Sequence, residues 1–160
     1  MSQESIAYLL GFFQKQKQVI NELMSDLHKK LARGKTRDIY YGYLLHNVYS
    51  AIEDVFQEIA KTFENQIQDP SRYHRELLIR MTIEVPGIRL AFLSEESLDI
   101  LDELRGFRHI FRHSYSYELD PIKVKALRSK ILKGIPTLFQ DWQNFENFLR
   151  NQLDNSNDEC

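Results

Sequence analysis

Apolar residues recur three and four positions apart along most of the chain, the pattern of helices with one buried face. In the first segment Ile6, Leu9, Leu10, Phe13, Ile20, Leu23, Leu27 and Leu31 carry it. They predict a helix over residues 3–32, with Gly34 as a C-cap glycine and a break at 33–38. A second stripe, Tyr41, Leu44, Leu45, Val48, Ile52, Val55, Phe56, Ile59 and Phe63, predicts a long helix over 38–66. QDPS at 68–71 ends it, with Pro70 as the breaker.

A shorter helix is expected at 71–84, through YHRELLIRM, stopped by Pro86 and Gly87. IRLAFL at 88–93 is apolar without helical phase and reads as an extended connector on the core. Ser94 suits an N-cap, with Glu95 and Glu96 in the first turn where the helix dipole favours them. That fourth helix is expected to run to about 118. Asp120 and Pro121 read as the cap and first residue of a fifth helix reaching about 153. Gly134 and Pro136 should kink it, because Pro136 cannot bond the carbonyl of Leu132. No β-type alternation is sustained and no repeat is visible, so the expected fold is all-α, a bundle of four to five helices.

Length and composition narrow the class. A chain of 160 residues, 42% hydrophobic, suits one domain with a sizeable core. We expect that domain to span 1–153, followed by a disordered polar tail over 154–160. The lone cysteine, Cys160, allows no disulfide within the chain, which fits the cytoplasm. No apolar run has the length of a membrane span, and the start lacks the features of a signal peptide. The expectation is a cytoplasmic protein with no membrane association.

Charge changes the picture at one place. RGFRHIFRHSY, residues 105–115, gathers three arginines and two histidines in a chain of formal net charge -2. No acid occurs between Glu103 and Glu118. On a helical wheel Ile100, Leu104, Phe107, Ile110 and Phe111 fall on one side, the expected core face. Arg105, Arg108, His109, Arg112 and His113 fall on the other as a cationic stripe. Many such stripes are solvated faces, but solvated faces usually mix signs.

His109 and His113 have the i, i+4 spacing of metal ligands. Three arginines repel a cation, however, and no metal or other cofactor is expected. An anion suits the stripe better, because arginine offers phosphate a planar fork. A histidine among positive neighbours favours its neutral, base-competent form. A base beside a phosphate clamp can cleave RNA without metal: it removes the 2′-OH proton, that oxygen attacks phosphorus, and arginine stabilises the growing charge. Arg108 and His113 lie about 140° apart on an ideal helix. Either the helix loosens near His113 or a second subunit completes the site.

Arg108, four residues, His113, one residue and Tyr115 form R-x4-H-x-Y. This resembles the signature of HEPN ribonucleases, specifically the HepT-like toxins of HEPN–MNT toxin–antitoxin pairs. LLHNVYSAIEDVF at 44–56, YHRELLIRM at 73–81 and DELRGFRHIFRHSYSYELDP at 102–121 are similar to HepT-like sequences too, so the resemblance covers roughly 40–150. It implies a helical bundle that forms a homodimer, with a metal-independent RNase site in the dimer cleft. Carried over, Arg108 binds phosphate, His113 is the general base or acid, and His109 fills a supporting polar position. Tyr115 is the residue to which an MNT-type nucleotidyltransferase antitoxin transfers AMP, with Tyr117 a competing hydroxyl. The implied substrate is RNA, with tRNA and mRNA both candidates.

Arg105 and Arg112 lie outside the motif and would attract RNA by charge. Glu53 and Asp54 read as capping, pairing or solvent-facing residues. His74, Arg75 and Glu76 read as a local salt-bridged corner, and His28 and His46 as structural. The rival reading is a non-catalytic HEPN adaptor or binding module. The intact Arg108, His113 and Tyr115 set speaks against it. The excess of seven Lys or Arg over four acids in residues 1–38 reads as ordinary surface.

Overall fold

A computed structural model describes residues 1–64, 73–113 and 119–157. Five helices follow in order: α1 (Gln3–His28), α2 (Lys35–Phe63), α3 (Tyr73–Met81), α4 (Glu95–His113) and α5 (Pro121–Asn157). The expected all-α bundle is what forms. α2 is the central helix and packs against each of the other four. The stripe from Tyr41 to Ile59 is its buried face, as its spacing predicts. Phe13, Phe56, Phe92, Trp142 and Phe145 meet at the centre, with edge-on pairs such as Phe13–Trp142 at 5.4 Å and Phe56–Phe92 at 5.2 Å. Such pairs each add about 0.5–1.5 kcal/mol beyond the area they bury.

Helix ends depart from the expected ones for identifiable reasons. α1 stops at His28 rather than near 32. The Tyr41 hydroxyl donates to the Lys29 carbonyl and accepts the Leu31 N–H, holding the chain in a turn. Gly34 is accordingly the N-cap of α2, not the C-cap of α1. α3 ends at Met81, short of 84, because the Met81 carbonyl accepts the N–H groups of Phe92 and Leu93 instead of continuing the helix. A two-residue bridge, Val85 with Arg89, closes around Pro86 and Gly87, and Gly87 takes φ +75, a conformation that glycine adopts freely. Phe92 and Leu93 are buried, so the second half of IRLAFL does lie on the core. The expected breaker Pro70 lies outside the described residues.

The N-caps of α4 and α5 are as the sequence suggests. Ser94 Oγ accepts the Ser97 N–H, and Asp141 of α5 accepts both the N–H and hydroxyl of Ser94. Asp120 accepts the Ile122 N–H at 3.0 Å. α5 stays one continuous helix through Gly134 and Pro136. At Gly134 a Cβ would stand 2.0 Å from Ile100 Cδ1, so this glycine permits the close approach of α4. The expected tail boundary at 153 falls inside α5, which continues to Asn157; residues 158–160 lie outside the description. Among the described residues no helix is long and apolar enough to cross a membrane.

Candidate functional site

Leu101 and Leu104 on α4 are fully buried against the core. Seven residues after Leu101, nearly two turns on, the same seam brings round Arg108. Its guanidinium lies over the Tyr49 ring of α2, 5.7 Å from the centroid. Its Nε is buried and has no hydrogen-bond partner among the described residues. The wheel therefore misassigned two positions. Arg108 belongs to the inner seam, whereas Ile110, expected in the core, is 55% exposed.

The rest of the stripe separates in kind. Arg105 is bound locally, through Nε and Nη2 to Asp102, both at 2.9 Å. His109 and Arg112 are exposed. α4 stays helical through His113, but the placement of the His113 side chain lies outside the description. Tyr115 and Tyr117 also lie outside the described residues.

α2 floors the site with three polar residues, His46, Tyr49 and Glu53, three and four apart within an otherwise apolar face. Glu53 is 4% exposed. One carboxylate oxygen is 2.8 Å from His74 Nδ1 on α3, and the other receives Gln57 at 3.5 Å. Asp54, beside it in sequence, faces solvent. The Tyr49 hydroxyl makes no well-formed hydrogen bond among the described residues, yet it stands near enough to the Glu53 carboxylate for that charge to hold its proton. Burial first, and Glu53 second, push its ionisation far above the ordinary tyrosine range, so Tyr49 stays neutral.

The His46 ring packs on Phe111 at 5.7 Å. Burial pushes its pKa down; the Asn47 hydrogen bond opposes this, and the charges of Arg108 and Arg112 reinforce it. A histidine that is harder to protonate when folded destabilises the fold as acid is added. Stability is intact above the unfolded pKa of about 6.5 and declines as pH falls from there toward the folded value. Wild type should thus lose stability relative to His46→Gln between pH 7 and 5, as read by urea melts across that range. Parallel curves would mean that burial does not hold the folded His46 pKa below its ordinary value.

The family model described as HepT-like protein matches residues 41–149, from the second turn of α2 to the last third of α5. The chain belongs to the HepT-like family. No curated protein and no solved structure matches it. The match spans every residue of this site, so the HepT-like part of the chain contains Arg108, its Tyr49 platform and the Glu53–His74 pair. Within it, the local corner expected at residues 74–76 does not form: His74 reaches back to α2, and Glu76 pairs with Arg80. His46, read as purely structural, faces the two arginines. Polar residues at 46, 49 and 53 on a helix face otherwise given to the core were the available signal, since buried polar groups require partners.

Proposed function

We propose that this HepT-like protein is a metal-independent endoribonuclease toxin that cleaves RNA by attack of the 2′-OH. The observation that supports it best is Arg108. A guanidinium drawn off the solvent face onto an aromatic ring, with a buried donor lacking a described partner, is a group that an anion would satisfy. It occupies the arginine position of R-x4-H-x-Y. His113 acts as the base for the 2′-OH, exposed His109 fills the supporting polar position, and exposed Arg112 extends the positive field toward the RNA backbone. Two copies meeting across α4 would set one stripe against the other, and exposed Ile110 suits such a contact. A nucleotidyltransferase antitoxin would silence the site by adding AMP to Tyr115, placing negative charge where the RNA phosphate binds.

The test is cleavage of total cellular RNA by purified protein in excess EDTA, beside matched DNA and His113→Ala, with intact mass recorded to exclude AMP adducts. RNA but not DNA should be cut, and the variant should be slower by about 100-fold. Silence from unmodified protein would favour a non-catalytic HEPN binding module, with the stripe as its docking surface.

A further inference from the structure

Burying a carboxylate is costly unless a partner meets it. Among the described residues Glu53 meets no lysine or arginine but Nδ1 of His74, whose side chain is 44% exposed. A buried carboxylate gripping Nδ1 fixes the ring's orientation and tautomer and leaves Nε2 to exchange a proton, as in carboxylate–histidine pairs that serve catalysis. Tyr73 packs edge-on against the same ring at 5.5 Å, which restrains it further.

The pair adjoins the arginine. Glu53 lies one turn from Tyr49, the ring on which Arg108 rests, and Tyr49 feels the charges of Glu53, Arg105 and Arg108 together. The groups around the dyad are thus Tyr49, Asp54 and Gln57 from α2 and Tyr73 from α3, with Arg105 and Arg108 of α4 acting on Tyr49 beside it.

We infer that His74 is a second proton carrier of this site, with Glu53 as its positioning residue. The inference rests on the ribonuclease reading and completes its chemistry. Attack by the 2′-oxygen forms one O–P bond and breaks the bond from phosphorus to the 5′-oxygen. The site's base removes the 2′-OH proton; the departing 5′-oxygen needs another. His74 Nε2 donates it, yielding a 2′,3′-cyclic phosphate and a 5′-hydroxyl. Both rings then re-equilibrate with water, so no co-reactant is needed. Glu53 stands as a negative partner at Nδ1 of the ring that acts as the acid.

The test is the pH–rate profile between pH 5 and 9 for the full chain on total cellular RNA, with enzyme-free blanks. Wild type should give a bell, because base and acid must each be in the correct state. His74→Ala should be about 100-fold slower near neutrality and should lose the descending alkaline limb. His74→Gln, which can still donate to Glu53, should keep the wild-type melting temperature and show the same kinetic loss. Glu53→Gln should slow cleavage less than His74→Ala does, and Glu53→Asp should recover part of that loss, because the ring keeps Nε2 but needs a carboxylate to orient it. A His74 variant that cleaves like wild type, or is slowed equally at every pH with its bell intact, would overturn the role of His74 alone. Wild type that fails to cleave RNA at any pH overturns the ribonuclease reading, and the second proton carrier with it.

Discussion

Arg108→Met is expected to lower RNA cleavage about 1000-fold while leaving the melting temperature unchanged or slightly raised. The kinetic part follows from the phosphate-binding task proposed for the guanidinium. A fixed cationic donor aimed at phosphoryl oxygens is worth about 4 kcal/mol when charge develops on them, which is about three decades in rate. The stability part follows from geometry. Arg108 is half-buried, and its Nε is desolvated with no described partner, an arrangement that opposes folding in the absence of an anion. Methionine has similar reach, lies well on the Tyr49 ring and carries no such penalty. Arg108→Lys should fall between, keeping charge but losing the planar fork. Single-turnover cleavage and thermal melts on the same preparations decide it. A variant that melts far lower yet cleaves normally would make Arg108 a structural residue and remove the main support for phosphate binding.

That opposition between stability and use explains which parts of the site the sequence disclosed. Helix spacing revealed the core face of α2, the caps at Ser94 and Asp120 and the all-α class, because each is set by residues close in sequence. The family motif pointed to Arg108 but not to its environment. A straight wheel drawn from five apolar residues put Arg108 outside, since it weighed Ile110 as core; tertiary packing chose the seam through Leu101 and Leu104 instead. The Glu53–His74 pair joins residues 21 apart, on helices whose contact no local pattern specifies. Gly34 shows the same limit at a helix end. A glycine after an apolar run fits a C-cap, but the side chain that ends α1 is Tyr41, twelve residues beyond the carbonyl it holds.

Arg89→Ala should be the most damaging single change to the fold outside the aromatic centre, at about 3–5 kcal/mol. Arg89 is 3% exposed and binds four groups from separate segments. Nε donates to Glu64 at the end of α2, at 2.6 Å. Nη1 donates to the carbonyls of Ile83 and Leu90, and Nη2 to the carbonyl of Arg80. Alanine leaves those carbonyls without this donor and, among the described residues, leaves the Glu64 carboxylate only Arg80, at 3.3 Å. In a chain of this size the loss corresponds to roughly 10 °C in melting temperature. The double variant Arg89→Met with Glu64→Leu should recover part of it, because neither a buried charge nor its orphaned partner then remains. A double variant no better than Arg89→Ala would show that the carbonyl bonds, rather than the ion pair, carry the effect. The consequence reaches the site. Arg89 fastens the C-terminal turn of α3 to α2, and α3 delivers His74 to Glu53 from its other end. Loosening that bracket should therefore slow cleavage at temperatures where the core is still folded, and cooling should restore it. If instead cleavage falls only in step with global unfolding, α3 does not depend on Arg89 for its register, and the Glu53–His74 contact is held by the helix itself.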